Sequence, residues 1–265
     1  MIRVTILGTG TSCGVPVIGC QCKVCQSSNP KDKRLRCSIL VETASTRLLV
    51  DAGPDFRQQI LPQPFRRING ILVTHSHYDH VGGMDDIRPY CQFGEINVYA
   101  DPLAKKGMLE MLPYCFAEHR YPGVPAIGLH EIHAGEQMTI GDIDILPIRI
   151  MHGQLPILGY RFGPVAYITD MKSIEADQLA LLQGKSGPYD VPPSTLIVNA
   201  LRFDKPHHSH QLVADAIAFS EAIGAQRTLL THICHDMGLH DEVNSHRLPQ
   251  GVELAYDGQV LEFGE

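Results

Sequence analysis

The sequence predicts an α/β domain whose strands end in metal-binding side chains, and two observations carry that expectation. Short apolar runs of strand length alternate with segments of helical period along the chain. Several runs end in histidine or aspartate, most densely in Thr74-His75-Ser76-His77-Tyr78-Asp79-His80, which follows Ile71-Leu72-Val73. Imidazole suits zinc and its first-row neighbours, and a carboxylate beside it suits a harder ion or a bridging role. Side chains leaving one strand end together, rather than spreading along a helix, mark a metal site that needs further ligands.

The bulk properties narrow the class. With 265 residues, 44% apolar and 19% charged, the chain can bury a sizeable core, and one domain over 1–265 is the simplest count. No segment reaches the roughly 18 apolar residues of a membrane helix, and Met1 to Leu7 is too short and strand-like for a signal peptide; a cytoplasmic protein is expected. A formal net charge of −7 argues against a nucleic-acid groove and for a small substrate. Eight cysteines without a secretion signal read as thiols or metal ligands. Cys20, Cys22 and Cys25 crowd into one loop, whereas Cys13, Cys37, Cys91, Cys115 and Cys234 stand singly.

Taken in order, residues 2–7 form a strand that opens into Gly8-Thr9-Gly10-Thr11-Ser12, a tight turn beside the cysteine loop and, lacking a lysine-threonine at a helix start, not a P-loop. Strands 38–42 and 47–51 make a hairpin whose exit is Asp51. A short helix over 55–61 precedes strand 70–73 and the histidine cluster. Helix 84–92, strand 96–100 and helix 102–112, with proline in its first turn, follow. Residues 114–135 lack periodicity and read as loop with short strand. Strands 138–140 and 143–150 lead to His152, and the hairpin 158–162 and 165–169 delivers Asp170. Helix 175–182, a Gly/Pro-rich connection and strand 195–198 come next. The polar loop Lys205-Pro206-His207-His208-Ser209-His210 precedes a helix over 211–223 ended by Gly224, and strand 227–230 ends at Thr231-His232. Short strands near 252–255 and 259–263 close the chain.

Collected, the strand-end residues are His75, His77, Asp79, His80, His152, Asp170 and His232. In order and setting this series resembles the metallo-β-lactamase superfamily over nearly the whole chain. The resemblance implies an αββα sandwich, two mixed β-sheets flanked by helices with the metals at one edge, and a supporting role for Asp51. It also implies two divalent ions, Mn²⁺ or Zn²⁺: one on His75, His77 and His152, the other on Asp79, His80 and His232, with Asp170 bridging. Such a pair can share a hydroxide and clamp a phosphoryl group for in-line attack.

Within the superfamily, Gly8 to Ser12, Cys20-x-Cys22-x2-Cys25, His207 to His210 and Leu230-Thr231-His232-Ile233-Cys234-His235 are similar to the subgroup holding the phosphodiesterase of phosphonate catabolism and the tRNA 3′-processing nucleases. That similarity implies a phosphodiesterase for small cyclic phosphates, ribosyl 1,2-cyclic phosphate or 2′,3′-cyclic nucleotides. It assigns His210, with His207 as alternative, to protonating the leaving oxygen, beside Asp79. It also implies one structural Zn²⁺ on Cys20, Cys22, Cys25 and His235, with Cys234 the rival fourth ligand. Alternatives are an RNA nuclease of the same fold, a non-catalytic nucleotide-binding protein and a thiol-ester hydrolase. The expected partner is a small phosphodiester or nucleotide, with no membrane; a homodimer is allowed, and nucleic acid is disfavoured by charge.

Overall fold

The structure is a computed structural model that describes residues 1–117, 119 and 121–264. Among the described residues, fourteen strands build two seven-stranded sheets. The first contains β1 (Ile2–Gly8), β2 (Ser38–Glu42), β3 (Arg47–Val50), β4 (Gly70–Leu72), β5 (Ile96–Ala100), β6 (Ile127–Glu131) and β14 (Val260–Phe263), in the order β14-β1-β2-β3-β4-β5-β6. The second contains β7 (Met138–Ile140), β8 (Ile143–His152), β9 (Leu155–Phe162), β10 (Val165–Ile168), β11 (Thr195–Asn199), β12 (Arg227–Thr231) and β13 (Val252–Leu254), in the order β13-β12-β11-β10-β9-β8-β7.

Both sheets are mixed. Antiparallel pairing joins β14, β1, β2 and β3, and parallel pairing carries on through β4, β5 and β6. In the second sheet β7 to β10 pair antiparallel and β10 to β13 parallel. Period-two alternation explains the layering, since successive side chains face opposite sides. Val4, Ile6, Ile39, Val41, Leu48 and Val50 point between the sheets against Leu158, Tyr160, Phe162, Tyr167 and Ile197. Their neighbours Leu40, Leu49, Ile71 and Val98 point outward, to a layer that includes Phe56 of α1 (Phe56–Ile60) and Ala104 and Met108 of α3 (Pro102–Met111). On the far side Leu196, Val198 and Leu230 meet Leu182 of α5 (Ala176–Leu182) and Val213, Ala216 and Phe219 of α6 (Val213–Ile223). Strands buried on both faces read as continuous apolar runs, and this is the αββα sandwich expected from the sequence.

Several local readings need correction. Asp79 and His80 do not hang from a strand end but lie on a single helical turn, α2 (Tyr78–Val81), which starts after His77. The helix over 84–92 is of 3-10 type, Met84–Phe93, with Pro89 inside it; a proline there removes a hydrogen-bond donor and clashes with an α-helical turn. The irregular stretch 114–135 holds α4 (Pro113–Phe116) and β6; residues 118 and 120 lie outside the described residues. Helix α7 (His240–His246) shows no helical period in the sequence, because its seven residues carry two histidines, an asparagine, a serine and two acids, and only Val243 and His240 are buried.

Parallel pairing aligns the strand ends that matter. Val50 is level with Leu72, and Val198 is level with both Ile168 and Leu230. Asp51, His75, Asp170, Asn199 and His232 therefore emerge at one edge of the sandwich.

Candidate metal centre

Four non-glycine residues among those described adopt left-handed backbone: Asp51, Asp170, Lys205 and His232, with φ between 52° and 65°. Such strain costs of order 1–3 kcal/mol per residue and persists where surroundings over-determine it. Three of the four stand at the strand-end cluster, and there the sharp turn aims the side chain back across the sheet edge. Close backbone approach does the rest: a Cβ on Gly53 would lie 2.0 Å from the Asp79 carbonyl oxygen, so only glycine lets α2 settle against the loop after β3.

The expected ligands fall into two neighbouring groups, His75 with His77 and His152, and Asp79 with His80, Asp170 and His232. Within each, the potential ligand atoms lie within 4.8 Å of one another. Asp170 spans the second group: one carboxylate oxygen is 2.9 Å from His232 Nε2 and the other 3.3 Å from His80 Nε2. Asp79 approaches His80 Nε2 at 3.3 Å and His232 Nε2 at 3.9 Å. Yet His75 Nε2, His80 Nε2 and His232 Nε2 are buried without a hydrogen-bond partner. Buried polar atoms are normally satisfied, so orphaned nitrogens converging on carboxylate oxygens fit divalent cations between them. The donor set, imidazole plus carboxylate, is one that zinc, manganese and iron accept.

Supporting contacts fix each ring. Asp51, fully buried, takes hydrogen bonds from the Thr74 N–H and hydroxyl, both at 2.8 Å, and lies 2.7 Å from His80 Nδ1. That contact leaves His80 Nε2 to face the cluster. His152 Nδ1 is 2.8 Å from the Asp170 carbonyl and 3.1 Å from that of Ser209, so its other nitrogen faces the site. The Asn199 amide accepts from Met171 N–H and donates to Met171 O, pinning the chain beyond Asp170. Thr74 and Asn199 escaped the sequence reading; each sits at a strand end, and only the partner revealed its role.

Electrostatics follow from this packing. Burial opposes charge on His80, but Asp170, Asp51 and Asp79 override it and hold the imidazole well above its usual range. His232 is likewise pushed up to about 9 by Asp170 and Asp79 against burial. His75 goes well below its usual value, first through burial and then through cationic His80. In the absence of ions these histidines divide the protons that the carboxylates demand.

His210 stacks on His232 at 4.6 Å between ring centroids and lies tilted against His152 at 4.7 Å, with Nδ1 3.8 Å from Asp170. Burial, then His232, pushes it down to about 2. His207 stands one ring further out, 4.9 Å from His210, with Nδ1 facing the Ser209 hydroxyl at 3.2 Å. A groove of 230 Å³ bounded by His75, Lys106 and Pro156 adjoins the centre, while wider depressions of 520 and 740 Å³ lie elsewhere. The site is marked by its donors, not by cavity size.

The cysteine loop reaches the same edge. Sulfurs of Cys20, Cys22 and Cys25 lie 3.2, 3.5 and 3.5 Å from His235 Nδ1. Cys234, the rival, is not in that group. The Cys25 N–H chiefly lowers Cys22 to about 6, while burial raises Cys25 to about 11. Three thiols around one imidazole fit a closed tetrahedral zinc site.

A model of the beta-lactamase superfamily domain matches residues 46–233. The octanoyltransferase of Porphyromonas gingivalis is 41% identical over 258 residues, which are 97% of this chain and 51% of that protein. The chain thus spans about half the length of that relative. A solved diphosphatase of the PhnP family superposes with a TM-score of 0.88 at 36% identity, covering 99% of this chain and 97% of that one. Human tRNase Z, short form, shares the fold alone, at TM-score 0.69 and 18% identity over 99% of this chain and all of that one. Among the described residues no helix is long and apolar enough to cross a membrane. With this fold, this edge and these matches, the chain belongs to the metallo-β-lactamase superfamily and, within it, to the PhnP family.

Proposed function

We propose that the chain is a dinuclear metal-dependent phosphohydrolase acting on small phosphodiesters, cyclic phosphates first among them, by attack of an activated water at phosphorus. The observation that carries this is Asp170, whose two oxygens face His232 and His80 of one ligand group and which also lies within 4.8 Å of His152 of the other. His75, His77 and His152 would hold one ion, Asp79, His80 and His232 the other, and Asp170 both. When bound, such ions polarise a phosphoryl oxygen and bring the pKa of a water toward neutrality. Cys20, Cys22, Cys25 and His235 would hold a structural zinc.

In hydrolysis a water oxygen forms one P–O bond as another breaks, the water loses a proton and the leaving oxygen gains one. We assign that proton to His210, whose ring stacks on His232 and whose Nδ1 lies 3.8 Å from Asp170. Its ring is held neutral by burial and by His232, and a bound phosphate anion offsets the positive field that opposes protonation. His210→Ala is expected to lower kcat about 10²–10⁴-fold on substrates with poor leaving groups.

A second reading, cleavage of a diphosphate bridge, is favoured by the likeness to the PhnP-family diphosphatase. The octanoyltransferase relative is about twice as long as this chain, so its name does not fix the activity of the shared half. The purified protein with Mn²⁺ or Zn²⁺, offered 2′,3′-cyclic nucleotides, ribosyl cyclic phosphate and diphosphate-bridged nucleotides, distinguishes the two readings. Turnover of none of them would reject both.

A further inference from the structure

Three of the ligand histidines are steered through their second nitrogen, and His232 is not. Nδ1 lies 2.7 Å from Asp51 in His80, 3.0 Å from the Thr74 hydroxyl in His75 and 2.8 Å from the Asp170 carbonyl in His152. His232 Nδ1 is buried without a hydrogen-bond partner among the described residues. No side chain turns this ring, so its direction comes from the backbone, which is left-handed there with φ at 52°.

Main-chain hydrogen bonds anchor that turn on both sides. Before it, the Ala200 N–H donates to the Thr231 carbonyl at 2.9 Å. Beyond it, the Ile233 N–H donates to the Thr9 carbonyl at 2.8 Å, and the Thr11 N–H donates to the Ile233 carbonyl at 3.1 Å. The Gly8 to Ser12 segment, which the chemistry of the site leaves unused, thus clamps the residue that follows His232. Gly10 fits the clamp for want of a side chain, since a Cβ there would lie 2.7 Å from the Arg34 carbonyl oxygen.

The clamp is itself held by charge. Arg34 Nη1 donates to the Thr9 hydroxyl at 2.9 Å, and a guanidinium accepts nothing, so the hydroxyl hydrogen goes to Asp257 Oδ1 at 2.7 Å. The other Asp257 oxygen accepts from the Leu35 N–H at 2.6 Å, and Arg34 Nη1 also donates to the Ala255 carbonyl at 2.7 Å. Burial opposes both charges: it pushes Asp257 up to about 6 and lowers Arg34 from its usual value. Ionised groups held against burial add little stability over apolar ones of the same shape. What these two fix is the place of Thr9, which is fully buried.

We infer that Thr9, Asp257 and Arg34 are positioning residues of the metal centre: they hold the 9–11 segment, and its hydrogen bonds to Ile233 set the turn that aims His232. The inference rests on His232 as a metal ligand and not on the choice of substrate. Its reach to the ion is through the main chain.

Manganese content after equilibrium dialysis against a series of Mn²⁺ concentrations tests it, because imidazole and carboxylate take that ion while thiolates select zinc. Thr9→Val, alike in shape but without the hydroxyl, should weaken Mn²⁺ binding about 10–100-fold, the usual cost of losing a group behind a ligand. Thr9→Ser keeps the hydroxyl and should bind as the wild type does. So should Ser220→Ala, which breaks a buried hydroxyl pair with Thr228 at the opposite end of β12 and lowers stability without touching the clamp. A Thr9→Val protein that melts earlier but binds Mn²⁺ unchanged overturns the positioning role, and so does an equal weakening in Ser220→Ala. If Thr9→Val does not fold, Asp257→Asn decides: binding about tenfold weaker supports the inference, and unchanged binding refutes it. A wild type that takes up no Mn²⁺, and no Zn²⁺ beyond one ion on the cysteine loop, rejects His232 as a ligand and the positioning with it.

Discussion

The two metal-ligand clusters sit at one edge of the sandwich, but they are built in opposite ways. The strand-end cluster is assembled from residues as far apart as His75 and His232, buries His75, His80, Asp170 and His232 while leaving His77 exposed and Asp79 and His152 partly so, and is braced by Asp51, Thr74 and the Asp170 backbone. The cysteine cluster draws three of its four members from one six-residue loop, and Cys20, Cys22 and His235 remain partly exposed. Among the described residues, non-glycine members with left-handed backbone are found in the first and not in the second. The fold positions the first cluster, whereas the second holds a loop to the fold. Their link is short: His235 follows His232 by three residues, and the Ile233 N–H donates to the Thr9 carbonyl across the gap. One cluster should therefore govern chemistry and the other stability.

That contrast can be broken by mutation. The largest effect is expected from Asp170→Ala, which removes the carboxylate shared by His80 and His232. Turnover should fall by about three orders of magnitude, the several kcal/mol that a charge clamp supplies, while metal analysis still finds the ion of the cysteine site. Cys22→Ser should do the reverse, lowering the thermal midpoint by about 5–10 °C for a loss of roughly 2–4 kcal/mol and leaving measurable turnover at low temperature. Next comes Asp51→Ala, which touches no substrate but frees His80 to rotate. A 10–100-fold loss of metal affinity or activity is expected, read by metal titration.

The smallest effect is one of sign, in metal-free protein. His232 is raised from 6.5 to about 9 on folding, so its contribution is complete below 6.5 and is lost as pH rises through 9. Cys22 is lowered from 9.0 to about 6, so its contribution is present above 9 and is lost as pH falls through 6. Between pH 6.5 and 9 the two clusters pull stability in opposite directions. Thermal melts with a chelator should fall with rising pH more steeply in Cys22→Ser than in the wild type, and less steeply in His232→Asn. Identical slopes in all three would remove the electrostatic distinction.

Most of this arrangement could be read from sequence, because the two clusters advertise themselves by spacing. His-x-His-x-Asp-His and the cysteine triplet are local patterns, and His152, Asp170 and His232 each follow an apolar run whose period marks a strand. The αββα layering followed from resemblance and is the fold observed. What stayed hidden is what depends on a partner from elsewhere in the chain. Thr74 is one threonine among many until Asp51 lies against it, and Asn199 until Met171 does. The helical turn at Tyr78 to Val81 was missed because four residues are too few to show a period. The choice of His235 over Cys234 is a matter of direction: the Cys234 side chain is buried elsewhere, among Arg202 and Asp236.

The central claim is that seven side chains at the sandwich edge, five from strand ends and Asp79 and His80 from α2, hold two ions apart from a zinc on the cysteine loop. Metal content per chain, measured by mass spectrometry on wild type, Asp170→Ala and Cys22→Ser after reloading with Zn²⁺, tests it directly. Three ions in the wild type, a loss confined to the strand-end sites in Asp170→Ala, and two ions with retained phosphodiester hydrolysis in Cys22→Ser are the predicted result. One ion in the wild type, or loss of all metal from either variant, would contradict it.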